Sequence, residues 1–325
     1  MLFVWRGNLG NEDRHAAKYS WFYEQCPFGP PLLALLTGEG GAAIGVAAAG
    51  VRPMLHMGRD LRAGVLVDMA VVPAHRTLLP ALTLQKFVLQ SASPGFGLLY
   101  GFPNPKAAAV FARAGYQKFG ELVRLVCVVR SASVLAGRLP TVLARLLGPL
   151  ADLALGIANK LRARKRVRVE WQDDPWPLID AIWAESQKPG GPIAVRDATF
   201  ARWRLAAAPV GRARFLVARD PGSSKPVAWA ACETRGDIMY VTDFWGLDGI
   251  GQWVAATLRQ LSWLARKTHC RQLSLEYMGS PQGFMHLRRA GFVRRNSRPV
   301  YGRFLNNSLE GDNYDWHLTA ADEDE

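Results

Sequence analysis

Two aspartates stand at the ends of apolar runs, where a carboxylate could take part in proton transfer. Asp68 follows Val65-Leu-Val, and Asp243 follows Met239-Tyr-Val-Thr. A carboxyl group at the end of a buried strand beside a cleft can have a raised pKa and act as a general base. An aspartate there can equally tie down neighbouring strand ends through hydrogen bonds. The residues by themselves leave both roles open.

The composition limits the class of protein that could position such groups. The chain has 325 residues, of which 49% are hydrophobic and 21% are charged, as in a globular protein with about two domains. Its four cysteines lie far apart, without a CxxC pair, which excludes a zinc ribbon and a disulfide scaffold and predicts no metal. The start lacks the features of a signal peptide, and no apolar run is long enough to span a membrane. We therefore expect a cytoplasmic protein, with peripheral membrane association as the alternative.

The positive charge is distributed unevenly along the chain. The formal net charge is +13, of which residues 1–130 and 131–170 contribute +6 each and residues 171–325 only +1. Residues 160–168 hold six basic side chains in nine positions and no acid. This pattern indicates an anionic partner for the first half and the middle segment. It argues against an evenly charged nucleic-acid-binding protein, and no nucleic-acid-binding motif is found.

The middle segment, residues 131–164, predicts a basic helical linker. Its apolar residues recur at steps of four and three, which is typical of an amphipathic helix: Leu139, Leu143, Leu146, Leu150, Leu153 and Ile157. Such a helix can be a connector packed on a domain. Because a basic run follows it, residues 139–168 can also lie on an anionic membrane surface.

The two halves of the chain repeat the same features in the same order. A proline and a glycine follow Trp21 at +6 and +8, and the same two residues follow Trp203 at the same spacing. Gly115 lies 47 residues after Asp68, and Gly291 lies 48 after Asp243. Three matches in order predict the duplication of one domain, with Trp21 and Trp203 as core anchors of a repeated helix.

Hydrophobic periodicity predicts similar elements in each half. The first half is expected to hold a helix at 12–26, strands at 31–37, 42–57 and 62–72, a helix at 79–92, a strand at 97–102, a helix at 106–114 and a strand at 116–129. The second half is expected to hold a strand at 166–171, helices at 176–187 and 197–207, strands at 214–219, 226–234 and 237–245, a helix at 250–268, a strand at 272–277, a helix at 281–290 and a strand at 292–304. The fold class is therefore α/β (α+β), with a mixed sheet in each half.

This order of elements resembles the GNAT superfamily of acyl-CoA N-acyltransferases, here as a tandem pair. In the first half the resemblance covers residues 12–130 and is carried by the segments 68–76, 99–104 and 111–116. It implies four parts: an N-terminal GNAT-like domain at 1–130 with the acyl-donor site, the linker at 131–164, a C-terminal GNAT-like domain at 165–305 and a tail at 306–325. The tail ends in Asp322-Glu-Asp-Glu325, which we expect to be a solvated acidic segment.

The resemblance also implies a site for coenzyme A as co-substrate. In that family a strand ends in V-x-P, and a glycine-containing turn then opens a helix whose backbone N–H groups hold the pyrophosphate. Here Leu79 stands where the family has a glycine, and Pro80 removes a backbone donor, so the phosphate loop is degenerate. The residues implied to contact the cofactor are Val71, Val72, Arg76, Leu79, Ala81, Leu82, Asn104 and Phe111.

The same resemblance implies the proton-transfer groups. Phe111 stands where many members carry a tyrosine that protonates the leaving thiolate, so the candidates here are Tyr100 as acid and Asp68 as base. In the second half, Ser280 stands opposite Asn104. Its glycine-rich turn, residues 246–251, is either a relic phosphate loop or a plain turn. We therefore assign that half to structure or to acceptor binding.

Three functions follow from these observations. The first is an N-acyltransferase that transfers an acyl group from acyl-CoA to a small-molecule primary amine by direct attack. The second is a membrane-associated long-chain N-acyltransferase that takes its acyl group from the phosphopantetheine thioester of an acyl carrier protein. The third is a catalytically inactive GNAT-fold module for binding or assembly.

Overall fold

The computed structural model describes residues 1–130, 165–209, 211–306 and 315–323. The elements of the first half are α1 (Leu2–Trp5), α2 (His15–Tyr19), β1 (Leu32–Thr37), β2 (Ala43–His56), β3 (Arg59–Val71), α3 (Leu78–Ala92), β4 (Leu98–Gly101), α4 (Pro105–Ala114) and β5 (Gln117–Val128). Each strand and the two long helices lie within a few residues of their predicted bounds. The predicted linker helix, with the membrane surface proposed for 139–168, lies largely outside the described residues.

The second half repeats this order. Its elements are β6 (Arg168–Gln172), α5 (Trp176–Glu185), β7 (Ile193–Ala194), α6 (Ala198–Ala201), β8 (Arg214–Arg219), β9 (Pro226–Arg235), β10 (Ile238–Gly246), α7 (Gln252–Lys267), β11 (Gln272–Met278), α8 (Pro281–Arg289), β12 (Val293–Phe304) and β13 (Leu318–Thr319). The mixed α/β fold class is confirmed.

The strands of both halves form one continuous sheet in which the last long strand of each half is exchanged. The order along the sheet is β1-β2-β3-β4-β12-β5-β11-β10-β9-β8-β6. β12 of the second half therefore lies against β4, and β5 of the first half lies against β11. The predicted domain bounds describe the order along the chain and stay a prediction. In the sheet, each half is completed by a strand from the other.

The two repeated tryptophans meet where the halves join. The rings of Trp21 and Trp203 stack with centroids 5.1 Å apart, and both side chains are buried. The indole N–H of Trp21 donates to the carbonyl of Trp203 at 2.9 Å, and that of Trp203 donates back to Trp21 at 3.2 Å. Such a reciprocal contact is expected at a two-fold axis. The duplication read from the sequence thus appears as an internal pseudo-two-fold.

Apolar layers cover both faces of the sheet. In the first half, α3 and α4 cover one face around Leu84, Val88 and Phe111. The opposite face is covered by the tryptophan pair together with Trp316 and Leu318 of the C-terminal segment.

Two expectations about the chain ends are wrong in detail. The helix predicted at 12–26 is broken into a 3₁₀ turn, the short α2 and a π-helical turn at Ser20–Glu24. The two described residues of the C-terminal acidic segment are not solvated, because Asp322 is fully buried against Arg196 and the side chain of Glu323 is only 12% exposed. A carboxylate with a buried guanidinium partner can be withdrawn from water, which the composition of a short acidic run does not reveal.

Candidate functional site

Two pairs of parallel strands part at matching places in the two halves. β3 pairs with β4 from Ala63 to Leu66 and then runs on to Val71 without it. β10 pairs with β11 only from Ile238 to Val241. Strands that stop pairing inside a sheet expose backbone groups and open a gap between them. Each half therefore contains one gap in which a ligand can reach the middle of the sheet.

The gap of the second half is filled by the protein's own C-terminal segment. β13 pairs antiparallel with β11, where it takes up the backbone groups of Tyr277 and Met278. Thr319 donates from its hydroxyl to Asp243 of β10 at 2.9 Å. The buried guanidinium of Arg196 then joins Asp243 at 3.1 Å to Asp322 at 2.5 Å. The tail thus occupies the middle of this gap, and a cavity of about 240 Å³ remains at its outer end between the glycine-rich turn, Tyr277 and Ser280.

The helix that follows β10 is also closed to an anion. The Asp248 carboxylate accepts from the backbone N–H of Gln252 at 2.7 Å and of Trp253 at 3.4 Å, at the N-terminus of α7. These are the donors that a phosphate would use. The glycine-rich turn of the second half therefore holds an internal carboxylate.

The gap of the first half remains a cleft of about 190 Å³. Asp68, Asn104 and Phe111 line it together, with Ala107 of α4 and Glu323 of the tail. Beside it, α3 begins after Thr77, which makes no side-chain cap, whereas Asn104 caps α4 through Lys106 and Ala107 at 3.0 Å each. The amides of Leu78 and Leu79 therefore have no partner within the helix, and Pro80 supplies none.

Asp68 lies in a β-bulge of β3, with a positive φ of 54°. Its side chain is 3% exposed and accepts from Lys18 at 2.8 Å and from the Tyr23 hydroxyl at 2.6 Å. The carboxylate is therefore held by two donors from the N-terminal helical segment. This geometry favours a structural role for Asp68, which ties the N-terminal segment to β3, over a role as general base.

Tyr100 does not belong to the cleft. It is fully buried on the opposite face of β4 from Phe111, and its hydroxyl donates to the Asp322 carbonyl at 3.2 Å. Burial raises its pKa well above the ordinary value, so the phenol is a poor proton donor to a leaving group. Phe111 packs against Tyr116 and Tyr301 in the cleft wall and offers no proton.

The residues implied for the phosphate loop lie beside the cleft. Arg76 is exposed, and its guanidinium donates to the Val71 carbonyl at 3.1 Å and to Asn8. Val72 donates its backbone N–H to Ile44, and Ala81 and Leu82 are half-buried against the core under α3. Leu79 is 71% exposed at the start of the helix. Arg76 must exchange these contacts before it can reach a phosphate.

A second cavity, which the sequence did not predict, adjoins this cleft. It is a groove of about 310 Å³ under the Trp203 helix, and Glu323 lines both cavities. Its walls come from β5, β9, β10, β11, β12 and the tail. No sequence signal marks it, because strand exchange brings these segments together.

One buried histidine makes the stability of this region dependent on pH. His317 is 2% exposed among Trp245, Tyr277 and Phe244, and neither ring nitrogen has a hydrogen-bond partner among the described residues. Burial, with a smaller contribution from the Arg196 charge, holds its pKa well below the ordinary value. As the pH falls, His317 is therefore protonated in the unfolded state while it is still neutral in the folded state.

We expect His317 to leave the free energy of unfolding unchanged above its unfolded pKa of about 6.5 and to lower that free energy as the pH falls below it. The slope from His317 should approach about 1.4 kcal/mol per pH unit. His317→Phe should flatten the slope of urea-unfolding free energy between about pH 7 and about pH 5. The exposed His75→Phe variant should retain it, and an unchanged slope in His317→Phe would contradict the assignment.

Comparison with known proteins agrees with this architecture. No protein-family model matches the sequence, and a search of curated proteins finds no significant match. Among solved structures, a probable N-acyltransferase of Enterococcus faecalis V583 aligns at a TM-score of 0.64 and 10% identity, over 95% of this chain and 70% of that one. A GCN5-related N-acetyltransferase of Anabaena variabilis aligns at 0.61 and 10% identity over the same shares. One from Kribbella flavida aligns at 0.51 and 14%, over 82% of this chain and 58% of that one.

The chain therefore has the same fold as these structures, which is the fold that the order of elements predicted. Within the described residues, no helix is long and apolar enough to cross a membrane. The same part of the chain holds no group of three or more acidic, histidine or cysteine side chains placed to bind a metal ion.

Proposed function

We propose that the protein is an N-acyltransferase that binds an acyl-CoA thioester in the cleft of the first half. The observation that carries this is the contrast between the two helix starts, together with the tail strand that enters only the second gap. The gap of the second half is filled by β13, and its helix is capped by Asp248. The gap of the first half remains an open cleft beside an uncapped helix start. A thin acyl-pantetheine arm fits such a gap, and a phosphate fits the donors beside it.

The reaction is direct acyl transfer. The nitrogen of a neutral primary amine attacks the thioester carbonyl carbon, the carbon–sulfur bond breaks, and the proton lost by nitrogen goes to the thiolate directly or through solvent. The bulge at Asp68 takes backbone groups of β3 out of the ladder with β2. A backbone N–H freed in this way can stabilise the oxyanion that forms. The filled gap gives the second half a structural role.

Calorimetry with CoA, acetyl-CoA and longer acyl-CoAs tests the donor. We expect binding to the wild type and loss of binding in Arg76→Glu. The substitution removes the guanidinium, and the new carboxylate repels the phosphates of the cofactor. Arg59→Glu, at the exposed start of β3, makes the same charge change as a control. A folded protein that binds none of these thioesters would leave the carrier-protein donor and the inactive binding module as the remaining hypotheses.

A carrier-protein thioester is a second candidate donor. Pro80 removes one backbone N–H donor from the start of α3, and the two residues before it, Leu78 and Leu79, are exposed. A phosphopantetheine carries one phosphate and makes fewer demands on this helix than a pyrophosphate does. Acylation assays that compare acyl carrier protein with the matching acyl-CoA distinguish the two donors.

A further inference from the structure

The groove that adjoins the donor cleft is built on the face of the sheet opposite α7 and α8. Along β11, Leu273 and Leu275 point into the core under these helices, while Ser274 and Glu276 line the groove. Arg124 of β5 lies beside Glu276 as its cross-strand partner. The volume of about 310 Å³ lies at the lower end for small-molecule sites.

The groove carries an excess of one positive charge. Its lining includes four arginines and three glutamates: Arg124, Arg204, Arg235, Arg298, Glu233, Glu276 and Glu323. Most of these are paired. Arg298 contacts Glu276 at 2.5 Å and also Glu323, and Arg235 contacts Glu233 at 2.8 Å.

Arg124 differs from these arginines. Its guanidinium donates to the Ser274 hydroxyl at 3.1 Å and forms no ion pair with a carboxylate of the described residues. It is half-buried, and its cross-strand neighbour Glu276 is engaged by Arg298, so its charge is partly removed from water without an ion pair of its own among the described residues. A carboxylate of a ligand in the groove would supply that anion through charge-assisted hydrogen bonds.

Glu323 joins the groove to the donor cleft. Glu323 lines both cavities, and its side chain is fixed by Arg298 while Arg204 donates to its carbonyl at 3.0 Å. A molecule whose anionic end lies at Arg124 can therefore reach past Glu323 to the cleft in which the thioester would lie.

We infer that this groove binds the acyl acceptor, and that the acceptor is a primary amine that also carries a carboxylate, which is held by Arg124. This inference rests on the proposed acyltransferase function. In the reacting form the amine is neutral and the carboxylate contributes one negative charge, which balances the excess in the groove. The amine nitrogen then forms the amide bond as the thioester carbon–sulfur bond breaks, and its proton passes to the thiolate or solvent.

A series of ω-amino carboxylates, compared with n-alkylamines of the same length, tests this. Both series are titrated into the CoA complex by calorimetry and assayed for acylation with the acyl-CoA that binds best. We expect the carboxylates to bind about 10- to 100-fold more tightly than the alkylamines, as one charge-assisted contact gives. Arg124→Gln should remove this preference, so that the two series bind alike, while Arg124→Lys should restore part of it.

Arg168→Gln, on the exposed edge strand β6, serves as the matched control and should keep the preference. Equal binding of both series, binding of neither, or a preference that survives in Arg124→Gln would overturn the inference. Retained binding of acyl-CoA in any of these cases leaves the proposed function standing. Loss of acyl-CoA binding in the wild type is instead a failure of the proposed function itself.

Discussion

The variant Ala107→Trp is expected to abolish binding of the acyl donor. Ala107 is half-buried on α4 and lines the cleft of the first half beside Asn104 and Phe111. An indole at this position would fill much of a cleft of about 190 Å³ and exclude the acyl-pantetheine arm. We expect the affinity for acyl-CoA to fall by at least about 100-fold, equivalent to about 2.7 kcal/mol, as measured by calorimetry.

Ala109→Trp is the matched control for this experiment. Ala109 lies on the same helix, but its side chain is exposed, so the same substitution places the indole in solvent. It should bind acyl-CoA as the wild type does and should unfold at the same urea concentration. Undiminished binding in Ala107→Trp, with the variant folded, would place the donor elsewhere.

The second large effect is expected in Asp322→Ala. The Asp322 carboxylate is fully buried and accepts from Arg196 and from the backbone N–H of Thr319 at 2.7 Å. Its removal leaves the buried Arg196 guanidinium with Asp243 as its remaining carboxylate. Breaking a buried ion pair in this way costs about 3–5 kcal/mol, which we expect as a loss of unfolding free energy in urea.

The exposed ion pair between Asp237 and Arg271 provides the comparison. These side chains lie 3.0 Å apart and are about half exposed, so Asp237→Ala should cost no more than about 1 kcal/mol. Should Asp322→Ala fail to fold, Asp322→Asn keeps the shape of the side chain and allows the loss to be measured. A loss below about 1 kcal/mol in both Asp322 variants would show that the tail does not depend on this network.

Local signals predicted the elements of this fold closely. The helix at Pro105–Ala114 begins after the cap Asn104 and ends at Gly115 in the left-handed conformation, and the helix at Pro281–Arg289 likewise begins after the cap Ser280. Proline in the first turn and a capping side chain are short-range features, so the sequence shows them directly. The repeated tryptophans were predicted as core anchors from their matching local spacing, and their burial confirms this prediction.

The candidate site was predicted less completely. Asp68, Asn104 and Phe111 do meet in one cleft, as the resemblance implied. Tyr100 points to the other face of the sheet, because successive side chains of a strand alternate between faces and β4 places Leu99 toward α3. Arg76 folds back onto Val71 and Asn8, a contact that depends on an N-terminal segment whose position no motif indicates.

The sequence by itself determined the duplication, the order of strands and helices and the residue types of the turn before α3, since each of these depends on spacing and residue type within one stretch of chain. Only the tertiary structure decided that β5 and β12 exchange places, that the tail fills the second gap and that a basic groove opens beside the first. These arrangements depend on which distant segments satisfy one another's backbone groups and buried charges. The acidic tail illustrates the difference: its charge is visible in the sequence, but the buried arginine that pairs with it lies more than a hundred residues away.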